Sequence, residues 1–483
     1  MLKIYNWING REIVSKKLNW LDKYNPHTGK KMSEFVNSDY SIVYKAVSAA
    51  ENAFDTWKDI TPVNRGQILL EIVLNLKKNS SSLARCVAEE TGKKINDARG
   101  EVQAAILQGE YFAGEGMRLY GRSLTSGIKG RTSFTVRQPH GVVGLIVPAN
   151  TPIANIAWKV FPALICGNSV VLKSSEDAPN TANLFAEICN NAGLMKGVLN
   201  VIHGDSFAGS QLVQDERVKL ISFTGSTKTG IKIASQASQN MKRISLELGG
   251  KNPFVVCDDA DLNESVNWAV LSAFSNAGQR CASGSRIIVM ENIYKSFKKK
   301  LLSKTLSLKL GINNDCDLGP LINKHSYDAV IDILSNIKKG DGRILCGGPS
   351  STNKPNKNGY YISPTIIECY NKNSDFNSKE LFAPIASLIK VKNISEALEV
   401  SNSSEYGLTS SIHTKNIDTA MWFATRVRSG LANINFGTYG SEPHMPFGGF
   451  GFSSNGCREP GLEALDVYSE LKNISIVTRK ALI

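Results

Sequence analysis

Gly141-Val-Val-Gly-Leu-Ile-Val147 is a short apolar run that stops beside Pro148. Ser169-Val-Val-Leu172, Val198-Leu-Asn-Val-Ile202 and Leu220-Ile-Ser-Phe223 repeat the pattern. The first three end near Gly, Pro or Ser and give way to helix-like segments; the last runs directly into Thr224-Gly225-Ser226. Apolar strands alternating with helices over residues 141–250 predict an α/β fold, a parallel sheet covered on both faces. Such sheets bind ligands beyond the carboxyl ends of their strands. The polar residues falling there are Asn150 after the first run, Lys173 and Glu176 after the second, and Gly225 with Ser226 after the last.

Outward from that stretch the pattern changes. Residues 1–40 alternate polar and apolar, with turns at Asn9-Gly10 and Asn25-Pro-His-Thr-Gly29, and read as short edge strands. From 41 to about 123 the period is helical, as in Ile42-Val43-Ala46-Val47-Ala50 and Ile68-Leu69-Ile72-Val73-Leu76, with 111–122 closing the block. Arg131-Thr-Ser-Phe-Thr-Val-Arg137 is short, alternating and β-branched, the type of strand that leaves a lobe to pair with a neighbouring subunit. A chain of 483 residues predicts two or three lobes.

The apolar stretch 141–171 is broken by Pro148, Asn150, Pro152, Lys159 and Pro162, which argues for buried core over a membrane span. Met1-Leu-Lys-Ile-Tyr-Asn-Trp7 lacks the apolar region of a signal peptide, and nine cysteines include no Cys-x-x-Cys pair. Reduced thiols, a cytoplasmic location and no metal site are therefore expected. The net charge of +13 is scattered over helix-like segments without an aromatic–basic platform. It fits attraction of an anionic substrate and a dinucleotide better than nucleic-acid binding.

Chemistry concentrates in Phe274-Ser-Asn-Ala-Gly-Gln-Arg-Cys-Ala-Ser-Gly-Ser-Arg286. A cysteine is nucleophilic as thiolate, so cationic neighbours and backbone N–H donors matter; Arg280 and Arg286 are the candidate cations for Cys281. The alternative is a packed core thiol. Glu247, between two leucines in Leu246-Glu-Leu-Gly-Gly-Lys251, is either an outward strand residue or a desolvated carboxyl with a raised pKa, suited to general-base work. Asn150 is a turn former between prolines or an amide donor to an oxyanion. Gly225-Ser-Thr-Lys-Thr-Gly230 places a flexible backbone at a helix start, where a phosphate is favoured. Lys173 and Glu176 form either a solvated ion pair or a ribose clamp.

Taken in order, these motifs make the chain resemble the aldehyde dehydrogenase superfamily over nearly its whole length. They include Pro148-Ala-Asn-Thr-Pro152, Ala157-Trp-Lys159, Leu172-Lys-Ser-Ser-Glu176, Phe223-Thr-Gly-Ser226 and Leu246-Glu-Leu-Gly-Gly-Lys251. Gly278-Gln-Arg-Cys281, Glu380-Leu-Phe-Ala-Pro384, Pro446-Phe-Gly-Gly449 and Arg458-Glu459 complete the set. The resemblance implies a Rossmann-type dinucleotide-binding lobe (1–122 with 140–250), an α/β catalytic lobe (251–450) and a small β oligomerisation arm (123–139 with 466–483). It implies NAD, with NADP as the alternative, and a homodimer or homotetramer acting on a small-molecule aldehyde.

By the same resemblance Cys281 is the nucleophile, Glu247 the base that activates the deacylating water, and Asn150 an oxyanion donor. Lys159 and Glu459 match a proton relay. Lys173 and Glu176 hold the adenosine ribose, Gly225 and Ser226 the pyrophosphate, and Glu380 and Phe382 the nicotinamide ribose and ring. Ala98-Arg-Gly-Glu-Val102 and the Ser453-Ser454 pair are similar to the α-ketoglutaric and succinate semialdehyde dehydrogenase branch. A small carboxylated semialdehyde is thus the expected substrate, with Arg280 and Ser453 as candidate anchors. The alternatives are an apolar aldehyde held by Phe274, Phe450 and Phe452, transfer of the acyl group to coenzyme A, or a non-catalytic protein of the same fold.

Overall fold

The computed structural model describes residues 1–14, 18–349 and 354–477. Five strands lie parallel in the order Arg243–Glu247, Val218–Thr224, Val142–Ile146, Ser169–Lys173, Leu199–Ile202. The Trp7–Ile8 and Arg11–Glu12 hairpin adds two antiparallel strands at the edge. Its turn residues Asn9 and Gly10 both have left-handed φ, which Asn-Gly tolerates and a tight hairpin requires.

Side-chain alternation explains why this sheet is buried on both faces. Val143, Leu145, Val170 and Leu172 enter one apolar cluster, and Val142, Ile146 and Val171 enter the other. The helices Pro62–Lys78, Ile95–Glu115 and Pro152–Ile165 cover the first face, and Tyr40–Asp59 with Ser206–Gln214 the second. The helical block ends at Glu115, earlier than its periodicity predicts. Gly114 and Gly116 weaken the helix there, and a Cβ on Gly116 would lie 2.4 Å from the Pro62 carbonyl.

A second seven-stranded sheet runs Gly342–Cys346, Thr365–Cys369, Ile385–Val391, Arg286–Met290, Pro253–Val256, Thr409–His413, Leu431–Ile434. Only its Gly342–Cys346 edge is antiparallel. It too is covered on both faces: Phe254, Ile287 and Val289 point into one cluster, Val255, Ile288 and Met290 into the other.

Arg131–Pro139 pairs antiparallel with Ser469–Val477 along its whole length, with Ser123–Leu124 on its other edge. Of the arm expected at 466–483, residues 478–483 lie outside the described residues. The apolar stretch 141–171 resolves into two buried strands and the helix Pro152–Ile165, which begins with a proline at its first position. Among the described residues, no helix is long and apolar enough to cross a membrane.

Candidate active site

Cys281 follows a loop that backbone preference alone would not form. After the helix Leu262–Phe274 comes a tight turn, Ser275–Gly278, in which Asn276, Ala277 and Gly278 have φ of 53°, 53° and 69°. Left-handed conformations in two non-glycine residues are strained and must be over-determined by their surroundings. The Gln279 side chain supplies part of that. Its Nε2 donates to the Asn276 and Pro320 carbonyls (both 3.3 Å), and its Oε1 accepts from the Ile322 N–H at 2.9 Å. Asn252 Nδ2 donates to the Cys281 carbonyl at 2.7 Å and to that of Ser283 at 2.8 Å. Gly250 allows this approach, since a Cβ there would lie 2.5 Å from the Cys281 carbonyl oxygen.

The half-buried Cys281 lines a cavity of about 410 Å³ together with Asn150, Glu247, Glu380 and Phe382. Burial, then the carboxyls of Glu380 and Glu247, push its thiol up to about 12; the Ala282 N–H and Arg280 pull the other way. Glu247 ends its strand and is 4% exposed. Burial first, and Glu459 second, raise its pKa well above the usual carboxylate range, against Lys159, Arg458 and Ser454. Its Oε1 is 3.5 Å from Ser454 Oγ, and its Oε2 has no partner among the described residues. A desolvated carboxyl with an unpaired oxygen beside a cavity is suited to take a proton from water. Asn150 Nδ2 donates to the Gln279 carbonyl at 3.0 Å. A carbonyl only accepts, so the amide is oriented, and its second hydrogen remains for another acceptor.

Behind Glu247 lies a buried polar cluster. Lys159 Nζ donates to Glu459 Oε2 at 3.0 Å and to Ser222 Oγ at 2.6 Å. Glu459 Oε1 accepts from Ser245 at 2.7 Å, Ser222 at 3.0 Å and Tyr468 at 3.3 Å. The ion pair is nearly fully buried, 1% exposed on each side, and this density of hydrogen bonds offsets its desolvation.

A second cavity, about 470 Å³, shares Pro148, Thr224 and Gly225 with the first, so the two form one groove. Lys173 and Glu176 stand at its far end, joined at 2.9 Å, with the Glu176 side chain 45% exposed. In between, Ser226 caps the helix Thr227–Ser238, its Oγ accepting from the Thr229 N–H. At the near end Glu380 accepts from the Gly250 N–H at 3.1 Å, and burial lifts its carboxyl to about 7. Phe382 adopts φ of 51°, a strained position for an aromatic residue. Carboxylates at both ends, a helix start between them and the Phe382 ring in the lining fit an extended dinucleotide.

Four expectations need correcting. Ser453, expected to anchor substrate, is fully buried and saturated, donating to the Gly249 carbonyl at 2.7 Å and accepting from the Gly407 N–H at 3.0 Å. Its neighbour Ser454 is the one that reaches Glu247. Arg286, expected beside Cys281, is buried with its donors on the Lys251, Val400 and Ser401 carbonyls. Phe274 is core, while Phe450 and Phe452 are surface residues; Trp158 and Phe447, ring centroids 5.4 Å apart, form the aromatic wall instead. Arg280 is outside the cavity lining: its guanidinium lies 4.9 Å from the Tyr439 ring, and its buried Nε has no partner among the described residues.

Thr151, Asn155 and Trp158 also line the cavity and were missed in the sequence. Their i, i+4, i+7 spacing at the start of a helix was the signal available. Ser222, Ser245 and Tyr468 carried no local signal at all.

Residues 13–474 match the aldehyde dehydrogenase family. A Bacillus subtilis α-ketoglutaric semialdehyde dehydrogenase is 35% identical over 98% of this chain and 97% of its own. A Thermoplasma acidophilum D-glyceraldehyde dehydrogenase (NADP⁺) is also 35% identical, over 97% and 95%. The crystal structure of Staphylococcus aureus betaine aldehyde dehydrogenase in complex with NAD⁺ superposes with a TM-score of 0.95 at 31% identity, covering all of this chain and 96% of that one. With the thiol, the buried carboxyl and an extended groove in one continuous site, the chain belongs to the aldehyde dehydrogenase family, NAD(P)-dependent enzymes that oxidise aldehydes.

Proposed function

We propose that the enzyme oxidises a small aldehyde bearing a remote carboxylate, prefers NAD, and works through Cys281, Glu247 and Asn150. Cys281 Sγ bonds to the aldehyde carbon as its S–H bond breaks and the proton passes to solvent water in the cavity. Asn150 Nδ2 and the Cys281 N–H donate to the carbonyl oxygen as negative charge grows on it, each worth roughly 3–4 kcal/mol of barrier. When bound beside Cys281, NAD⁺ would supply the hydride acceptor; the Cys281 sulfur then holds the substrate as an acyl group. Glu247 then takes a proton from water, whose oxygen adds to the acyl carbon and releases the acid, with sulfur leaving as thiolate. Lys159 and Glu459 carry that proton onward.

Lys173 and Glu176 would hold the adenosine ribose, Gly225 and Ser226 the pyrophosphate, and Glu380 and Phe382 the nicotinamide end. We assign 1–122 with 140–250 to the dinucleotide lobe, 251–450 to the catalytic lobe and 123–139 with 466–483 to an arm. Exposed Leu471, Ile476 and Val477 on that arm support its use in a homodimer or homotetramer.

The carboxylate preference rests on one observation: the chain carries a net charge of +13, a field that favours an anionic substrate. Sequence identity does not choose, because relatives named for a semialdehyde and for glyceraldehyde stand at the same 35%. Succinate semialdehyde and 2,5-dioxovalerate should exceed butanal and benzaldehyde in kcat/KM by roughly 10- to 100-fold, within the range by which a complementary field raises encounter rates. The advantage should shrink as salt is added, because screening weakens the field. Preference for the uncharged aldehydes would show instead that the Trp158–Phe447 wall selects the substrate.

A further inference from the structure

Lys93 and Glu101 form an ion pair with each side chain only 3% exposed. Lys93 follows Gly92, which ends the helix Ser80–Thr91 in a left-handed cap. Glu101 lies on Ile95–Glu115. Neither lines the cavity, and nothing in the mechanism above uses them.

Their bonds converge on one turn. Lys93 Nζ donates to the Asn150 carbonyl at 2.7 Å, beside Asn276 Nδ2 at 3.2 Å on the same oxygen. Glu101 Oε1 accepts from the Ile153 N–H at 2.9 Å and the Ala154 N–H at 3.4 Å, the first turn of Pro152–Ile165. That helix lacks the ordinary local cap: Thr151 makes no side-chain capping bond, and its Oγ1 accepts from Asn155 Nδ2 at 2.9 Å. A carboxylate from another helix has taken the cap's place. The backbone from the Asn150 carbonyl to the Ala154 N–H is therefore clamped to one buried ion pair, while the Asn150 amide is oriented by the Gln279 carbonyl.

Stability alone is a poor account of such a pair, since burying two charges roughly cancels their attraction and an apolar pair would serve as well. What an ion pair adds is fixed geometry, and a donor aimed at developing charge must be placed closely to act. We propose that Lys93 and Glu101 are positioning residues that hold Asn150 for oxyanion stabilisation. The proposal rests on the assignment of Asn150 as oxyanion donor.

The test is a double-mutant cycle on the full-length enzyme, with kcat, KM, NAD dissociation constant and Tm measured for each variant. Asn150→Ala should lower kcat about 100- to 1000-fold. Lys93→Met should lower kcat roughly 10- to 100-fold, with KM and NAD affinity within about threefold of wild type, and should add less than about threefold in the Asn150→Ala background. Lys93→Met/Glu101→Gln, which restores charge balance and keeps the capping acceptor, should recover Tm relative to Lys93→Met without recovering kcat. Three results would overturn the proposal: equal losses in both backgrounds, recovery of kcat together with Tm, or an unimpaired Lys93→Met. A wild-type kcat in Asn150→Ala would instead remove the oxyanion assignment and the proposal with it.

Discussion

The two seven-stranded sheets contribute to the site from opposite ends. In the first, Asn150, Lys173 and Glu247 stand at or just beyond the carboxyl ends of Val142–Ile146, Ser169–Lys173 and Arg243–Glu247. In the second, Cys281 and Glu380 lie before the amino ends of Arg286–Met290 and Ile385–Val391. The carboxyl end of a parallel sheet is a general ligand site, formed by regular elements at little local cost. The other half is made of strained loops: Asn276, Ala277 and Phe382 all have left-handed φ, and side chains such as Gln279 and Asn252 hold the backbone there. Groove binding thus rests on regular geometry, and reactivity on a loop the surroundings force into shape.

That contrast can be broken from either side. Cys281→Ser should cut acid formation by roughly a thousandfold or more while leaving NAD affinity within about threefold, because the thiol belongs to the reacting half. A large loss of NAD affinity would mean the two halves are one unit. At the far end of the groove, Glu176→Gln removes the charge that repels a 2′-phosphate and frees Lys173 to pair with one. The kcat/KM ratio of NADP to NAD should rise by about tenfold, with alkylation of Cys281 by iodoacetamide unchanged. An unchanged ratio would place cofactor choice elsewhere.

The same division decided what the sequence made visible. The alternation of apolar runs over 141–250 predicts the first sheet and the polar residues at its strand ends, because both follow from side-chain period. Cys281 had no such signal; its neighbours in the motif pointed to it, and the left-handed turn behind it is not written in any periodicity. Ser453 and Ser454 show the limit most sharply: adjacent and chemically identical, one is saturated by backbone groups and the other reaches Glu247. Arg286 looked equivalent to Arg280 in sequence, yet three carbonyls occupy it. The Lys159–Glu459 contact joins residues 300 apart, and only the resemblance brought them together.

The most direct test of the account is a stopped-flow measurement of NADH formation by Glu247→Gln, followed by intact-protein mass spectrometry. In the proposed mechanism, acylation of Cys281 does not need Glu247, but hydrolysis does. The variant should release one equivalent of NADH per active site in a burst, then turn over roughly 100-fold more slowly than wild type. It should carry a single acyl group on Cys281. Because Glu247 is held protonated well above the usual carboxylate range, the wild-type steady-state rate should rise with pH as that carboxyl ionises, and the variant should lose this limb. A linear time course without a burst, or an acyl group on any other cysteine, would contradict the assignment of Cys281 as nucleophile and Glu247 as the base that frees it.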